Sequence, residues 1–288
     1  MENYIPYAKI AGHLDIHEGD ILLIASDITK LSYSAIKAEG EFDPNKLIDS
    51  FKNKLGNNGT LLFPSYNFLL ESGDIFDIKK TRPFLCGALS IAALGRDDFM
   101  RTKHPLHSFL VWGKHADEIC NLNNKSSFGE DSPFAFLHHH KAKMLFIDID
   151  LYGSFTFTHY VEEMEKVRYR RMKKYEIIYT DNENITSVKE YFLYKKFPGI
   201  EMIFLLIENI FKSRGIIKES AVNNIKFGLI SLDDNIYSII KNDIRHNKAR
   251  SIAKFNFILF LKDTAKFILK KLNIYTPINE RINNASGI

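Results

Sequence analysis

The sequence predicts an α/β protein, and three observations carry that reading. Short apolar runs alternate with helix-like stretches through the first 160 residues, turn-forming Gly, Pro and Asn residues punctuate them, and no internal repeat or long linker interrupts the pattern. The run Ile21-Leu22-Leu23-Ile24-Ala25 reads as a buried strand, with Ser26 and Asp27 after it as helix caps. Asp43 is a good N-cap before Pro44, and Leu47, Ile48, Phe51 and Leu55 follow at helical spacing. Asn57-Asn58-Gly59 is a turn leading into the strand Thr60-Leu61-Leu62-Phe63, which Pro64 is expected to stop. Lys143 to Asp148 reads as a further buried strand, leading through Gly153 to a helix that begins near Thr158 and carries His159 and Glu162. Beyond residue 175 the pattern changes to strands over Glu176 to Thr180 and Ser187 to Tyr194, about the polar turn Asp181 to Asn184, and then to helices over 200–213 and 232–243.

Composition sets the outer bounds. At 288 residues, 45% hydrophobic and 26% charged, the chain has the profile of an ordinary globular protein and not of a disordered one. No apolar run approaches the ~18 residues of a membrane span. The opening residues show neither a basic n-region nor an apolar h-region, so the cytoplasm is the expected compartment. Cys86 and Cys120 cannot build a disulfide framework or a four-thiolate zinc site. The net charge is +4, yet residues 249–288 hold seven Lys/Arg against two Asp/Glu, which leaves the remaining body close to neutral. Such a body is neither a nucleic-acid-binding surface nor a trap for polycations.

One α/β domain is therefore expected over 1–248, with a basic helical extension over 249–288. Within the extension, Ser251 to Tyr275 mixes Phe255, Leu259, Phe260, Phe267 and Ile268 with Lys262, Lys266 and Lys270. Amphipathic character of this kind predicts a helix packed on the body or on a second subunit of a homo-oligomer; the alternative is a helix lying on a membrane surface.

The sharpest chemical constellation is Thr158-His159-Tyr160-Val161-Glu162. Positions i and i+3 share a helix face, so imidazole and carboxylate can touch. A carboxylate beside a histidine fixes its tautomer, raises its basicity and steadies the imidazolium after proton abstraction. After an apolar strand and a glycine-containing turn, the pair would lie at the carboxyl edge of a sheet, where α/β proteins place ligands. Other constellations are weaker. Asp148-x-Asp150 could hold a divalent metal in a glycosyltransferase, although such a pair more often marks a strand end. His138, His139 and His140 are consecutive and cannot all face one ion, so no metal site is expected.

Further landmarks accompany the His–Glu pair. In order along the chain they are Gly59-Thr60-Leu61-Leu62-Phe63-Pro64; Arg101-Thr102-Lys103-His104-Pro105-Leu106-His107-Ser108-Phe109 with Gly113; Phe128-Gly129-Glu130-Asp131-Ser132-Pro133-Phe134; the segment from Thr158 to Glu162; and Tyr169-Arg170. This ordered series resembles the aminoglycoside 3-N-acetyltransferase family over roughly residues 18–245. The resemblance implies a central mixed sheet flanked by helices, and metal-free acetyl transfer from acetyl-CoA to an amino group, usually of an amino sugar. It also implies that His159 is the catalytic histidine and Glu162 its carboxylate partner. Coenzyme contacts are implied near the first strand–helix turn and the His-Pro segment, which points to Ser26, His104 and Ser108. The first turn departs from the family's usual His-x-Ser, reading Ala25-Ser26-Asp27, and a carboxylate at Asp27 would repel phosphate unless it pointed away. Tyr66 and Arg170 are expected on the acceptor side. Neither cysteine sits in an activating motif, so direct attack in a ternary complex is expected, without an acyl-enzyme.

The acceptor is read from charge. The strip between Tyr66 and Arg82 holds Glu71, Asp74 and Asp77 but also Lys79 and Lys80, and the run Arg168, Arg170, Arg171, Lys173, Lys174 is plainly basic. This favours an acceptor bearing negative charge, such as a dTDP- or UDP-linked 4-amino-deoxysugar for surface glycans, over a polycationic aminoglycoside.

Overall fold

The computed structural model describes residues 4–272. The elements, in chain order, begin with β1 (Ile21–Ser26), α1 (Thr29–Glu39), α2 (Pro44–Leu55), β2 (Thr60–Tyr66), β3 (Ile75–Asp77), α3 (Ala88–Leu94), β4 (Met100–Arg101) and β5 (His107–Gly113). Then come α4 (Ala116–Asn121), α5 (Pro133–His139), β6 (Lys143–Ile147), α6 (Leu151–Ser154), α7 (Phe157–Met164), β7 (Arg170–Thr180) and β8 (Thr186–Lys196). The chain continues through β9 (Ile200–Met202), α8 (Leu205–Ser213), β10 (Lys218–Val222), β11 (Ile225–Ser231), α9 (Asp234–His246), β12 (Ala253–Phe255) and α10 (Phe257–Lys271).

The central sheet has the order β10-β11-β6-β1-β2-β5-β4. β1 runs parallel to both β2 and β6, whereas β5 and β11 pair antiparallel on either side, with β4 and β10 at the edges. Strands buried on both faces read as continuous apolar runs, as β1 and β6 do. Alternate residues of β1 feed two separate cores. Leu23 and Ala25 pack with α5, α7 and α9, and Leu22 and Ile24 pack with α1, α2 and α3. Asp43 caps α2 by accepting the Asn45 N–H at 2.8 Å, as its sequence context predicts. A second sheet, β3-β7-β8, lies over its own core of Phe76, Ile177, Tyr179 and Tyr191.

Several expectations are corrected. Pro64 does not stop β2, which continues to Tyr66. The ladder with β1 ends at Leu23 opposite Leu62, so beyond that point β2 pairs only with β5 and the missing N–H of Pro64 interrupts nothing on the β1 side. The β1 strand stays paired with β6 as far as Ser26. Its divergence from β2 therefore opens a crevice at the carboxyl ends of the parallel strands. The first part of the helix expected over 200–213 is the strand β9, formed by pairing with the distant β12. The strand expected to begin at Glu176 begins at Arg170, because its basic opening residues are drawn in by ion pairing and not by apolar burial. Ser26 ends β1 and does not cap a helix; Asp27 does the local capping, accepting the Thr29 N–H at 2.9 Å.

The boundary expected at residue 248 falls inside one packing unit, since Ala249 and Ile252 are buried in the same core as Ile236 and Ile240. Past it, α10 seats on β9 by a narrow strip: the Asp263 carboxylate accepts the Gly199 N–H at 3.0 Å, and Phe260 lies against Gly199. Its apolar arc faces away from the body. The side chain of Lys270 and residues 273–275, part of the expected helix, lie outside the described residues.

Gly113, the last landmark of the Arg-Thr-x-His-Pro series, has φ +106°, and a Cβ there would stand 2.2 Å from the Gly59 carbonyl oxygen. Gly113→Val is expected to lower stability by roughly 2–3 kcal/mol, read as a reduced midpoint in chemical denaturation.

Candidate active site

Helix α7 turns Phe157, Tyr160 and Val161 into the core and thereby fixes where its polar residues point. His159 keeps 20% of its side chain exposed, whereas Glu162, one turn on, has none. The carboxylate of Glu162 is fully engaged. Its Oε1 accepts the Tyr169 hydroxyl at 2.7 Å, and its Oε2 lies 2.6 Å from His159 Nδ1 and 2.8 Å from Arg170 Nε. Arg170, the first residue of β7, also donates from Nη1 to the Tyr194 carbonyl at 3.0 Å, and its Nη2 lies 2.9 Å from His159 Nδ1.

These contacts assign the tautomer. An unprotonated Nδ1 at 2.6 Å from a carboxylate oxygen would set two lone pairs against each other, so Nδ1 carries the proton and donates it to Glu162. Arg170 Nη2 aims one hydrogen at Nδ1 at 2.9 Å and another toward Met202 Sδ at 3.6 Å, and the shorter contact with the carboxylate decides where the Nδ1 proton lies. Nε2 of His159 is left with a free lone pair. Burial and then the Arg170 charge lower the His159 pKa against the opposing pull of Glu162, so the ring is neutral at physiological pH. Burial alone would raise the Glu162 pKa, but His159, Arg170 and the Tyr169 hydroxyl more than offset it and keep the group ionised.

His159 lies where two cavities meet. One, of about 310 Å³, is walled by Phe68, His107, Phe128, Thr156 and Arg170. The other, of about 560 Å³, is walled by Tyr152, Lys196, Glu201, Met202, Phe204 and the α10 residues Ile258, Leu259 and Lys262. A third, narrower space of about 80 Å³ occupies the crevice between β1 and β2, where Ser26, Tyr66 and Cys86 meet Ser154 and Thr156. Burial pushes the Cys86 thiol up to about 11 and the Cys120 thiol to about 12, so neither is a thiolate at neutral pH.

The other expected site residues divide. Ser26 and Tyr66 line the crevice, and Arg170 touches the His159–Glu162 pair. Asp27 faces its own helix, engaged by Thr29. His104 and Ser108, expected on the coenzyme side, are fully buried and line none of these cavities. His104 Nε2 contacts the Phe192 carbonyl at 3.3 Å, and Ser108 Oγ donates to the Ser65 carbonyl at 2.7 Å while accepting from Arg101 Nε at 2.9 Å. The Arg101 guanidinium, also buried, donates to the Thr81 and Ser65 carbonyls. The His-Pro segment is thus a polar lattice that satisfies buried backbone, in keeping with the turn-and-cap role of such residues. The residue of that segment that reaches the cleft is His107, which sequence reasoning passed over. Its Nδ1 lies 3.0 Å from Ser127 Oγ, and burial holds its pKa well below the ordinary value.

The Phe-Gly-Glu-Asp-Ser-Pro-Phe segment has a similar supporting part. Ser132 caps α5, accepting the Ala135 N–H, and Phe128 sets its ring edge 5.4 Å from the His159 ring. The Asp148 carboxylate lies 3.0 Å from Lys30 Nζ. Among the described residues no group of three or more His, Cys, Asp and Glu side chains could hold a metal. Of the three consecutive histidines, His138 stacks on Tyr237 at 4.8 Å.

Comparison with solved structures returns proteins of the same fold. The apoenzyme of aminoglycoside acetyltransferase AAC(3)-IVa superposes with a TM-score of 0.66 at 22% identity, over 86% of this chain and 91% of that one. The YokD protein from Bacillus subtilis gives 0.70 at 19% identity, over 87% and 97%. The binary complex of AAC-IIIb with CoASH gives 0.67 at 16% identity, over 85% and 98%. Comparison with curated proteins finds no match. The family model for aminoglycoside 3-N-acetyltransferase matches residues 28–241, a span that holds β2, β5, α7 and the start of β7 with their landmarks. The chain belongs to the aminoglycoside 3-N-acetyltransferase family.

Proposed function

We propose that His159 is the general base of an acetyl-CoA-dependent N-acetyltransferase whose acceptor is an amino sugar bearing negative charge. Family membership makes the chain an acetyl-CoA-dependent N-acetyltransferase. The observation that carries the base assignment is the free Nε2 of a neutral imidazole, anchored through Nδ1–H by a buried carboxylate and opening on two cavities. An acceptor amine in the cleft attacks the thioester carbonyl carbon as Nε2 removes its proton. The tetrahedral intermediate then expels sulfur, and the imidazolium returns the proton to the departing CoA thiolate. Glu162 stabilises the imidazolium between these steps. Transfer is direct, because the protonated thiol of Cys86 is no nucleophile. The crevice of Ser26 and Tyr66 suits the pantetheine arm, since it runs beside the His159 cavity and shares Gly153, Ser154 and Thr156 with it. The complex of AAC-IIIb with CoASH supports a coenzyme site in this fold.

The acceptor reading rests on charge. Among the described residues, the two cavities at His159 are lined by Lys195, Lys196 and Lys262 beside the ion-paired Arg170, with one carboxylate, Glu201, which is engaged by Asn256 and Lys254. Glu71, the carboxylate nearest this region in sequence, is held by Lys173. A nucleotide-linked 4-amino-deoxysugar, made in the cytoplasm where acetyl-CoA is supplied, complements such a wall, with Phe68, Phe204 or Tyr152 available for stacking on the base. Aminoglycosides are the competing acceptors, since the AAC(3)-IVa relative has been seen in complex with apramycin and with a gentamicin.

His159→Ala is expected to lower turnover about a thousandfold with CoA affinity retained, and Glu162→Gln somewhat less, in a thiol-release assay. The neutral form of His159 is active and its pKa lies below the ordinary 6.5, so kcat/KM should fall only as pH drops through a value below that. Arg170→Met removes a charge that disfavours the imidazolium, so the acid limb should move to higher pH; an unmoved limb would separate Arg170 from the base. Presented with a dTDP- or UDP-linked amino sugar and with apramycin, the enzyme should release thiol faster with the nucleotide sugar. Turnover of apramycin alone would reverse the acceptor assignment.

A further inference from the structure

The apolar arc of α10 faces away from the body, and the family model stops at residue 241, short of this helix. Phe257, Ile258, Leu261, Ile268 and Leu272 are each at least half exposed. At 100° per residue they lie within one arc of about 100°, with Ile258 at the edge where the helix also walls the His159 cavity, and Lys262 and then Lys266 follow beyond that edge. The one carboxylate of the helix, Asp263, is turned inward to the Gly199 N–H at 3.0 Å, so the outward surface is apolar with a wholly cationic border. No helix among the described residues is long and apolar enough to cross a membrane, and α10, at 15 residues, measures about 22 Å.

We propose that α10 docks this enzyme on the surface of an anionic lipid bilayer, lying in the plane of the interface with its apolar arc in the headgroup–acyl boundary. Two features select this occupant over a second copy of the chain. A paired copy would bring lysine-flanked arcs together with no outward acidic side chain on α10 to answer them, whereas anionic headgroups complement the lysines. The arc also carries Phe257 at its N-terminal end and spans about two heptads, short of the three or four that mark a coiled-coil seam. Lysines at the edge of such an arc can lay their aliphatic stems along the apolar surface and keep the ammonium among the phosphates. Docking in this way would hold the cleft of His159 beside the membrane, because Ile258, Leu259 and Lys262 of the same helix wall it. The docking is independent of the acceptor's identity.

The test is co-sedimentation of the full chain with phosphatidylcholine vesicles and with vesicles in which about a third of the lipid is phosphatidylglycerol. The expected result is binding to the anionic vesicles that weakens as salt rises. Leu261→Glu together with Ile268→Glu should reduce the partition coefficient at least tenfold, and Lys266→Glu about fivefold or more. Because these side chains are exposed, the thermal midpoint and thiol release with a water-soluble acceptor should stay at wild-type values, which separates lost docking from misfolding. Three outcomes overturn the proposal: no binding to anionic vesicles, binding that these substitutions leave unchanged, or vesicle-free protein that sediments as a dimer and becomes a monomer on Leu261→Glu with Ile268→Glu. The last result would assign the face to a second copy. Absent vesicle binding that deletion of 273–288 restores would assign it to the chain's own end.

Discussion

A carboxylate with no solvent exposure stays ionised only where its lost hydration is replaced, and Glu162 has its replacement on every side. Tyr169, His159 and Arg170 come from three places, namely the turn before β7, the preceding turn of α7 and the first residue of β7. The joint between helix and second sheet is therefore built around one charge. The Val167 N–H returns to the Glu162 carbonyl at 3.2 Å, the Tyr194 hydroxyl donates to the Val167 carbonyl at 2.6 Å, and Arg170 donates to the Tyr194 carbonyl. Arg170, and Tyr169 just before it, also fix the β7–β8 hairpin against α7 through Glu162. Catalytic geometry and tertiary structure thus share the same hydrogen bonds, and His159 cannot rotate without leaving a buried charge short of a donor.

The second constraint is the parting of β1 from β2. A sheet that stayed fully paired would close the space above its parallel strands, but here the β1–β2 ladder ends at Leu62 and Pro64 lies beyond it. The segment around Cys86 fills the outer part of the gap. The Tyr66 N–H reaches Cys86 Sγ at 3.2 Å, and a Cβ on Gly87, at φ +84°, would stand 2.8 Å from the Ser26 carbonyl. What is left is a slot narrow enough for an extended chain and continuous with the cavity at His159. Ligand sites at strand carboxyl ends follow from this general geometry, and the proline residue lies where the strands diverge.

Much of this was legible from local pattern. The buried runs of β1 and β6 and the Asp43–Pro44 helix start depend on neighbours in sequence, as does the i, i+3 meeting of His159 with Glu162, and all four form as expected. What escaped depends on distant partners. β9 forms because β12 arrives some fifty residues later, and no periodicity within 200–202 records that. The extension of β7 back to Arg170 hides because a buried arginine looks like a surface residue until its carboxylate is known. His104 and Ser108 misled for the opposite reason. Polar residues in an ordered motif suggest a ligand, yet their partners are backbone carbonyls of buried neighbouring segments, and the residue between them, His107, is the one facing the cleft.

Charge in the cleft bears on the chemistry as well as on recognition. An amino sugar reaches the enzyme mostly as an ammonium ion and must lose a proton before it can attack. Arg170 and Lys196 disfavour the His159 imidazolium, and in the proposed complex they would disfavour the ammonium of a bound acceptor in the same way. The proton transfer between them stays nearly balanced while both neutral forms become more populated. A polycation would meet the same field at each of its other amines, with no deprotonation to relieve the repulsion there. An acceptor whose remaining charge is negative gains attraction at its distal groups and an easily deprotonated amine at the reacting one. In the proposed reaction, one arrangement of lysines and arginine would both order the acceptors and prepare the nucleophile, tying acceptor preference to the neutrality of His159.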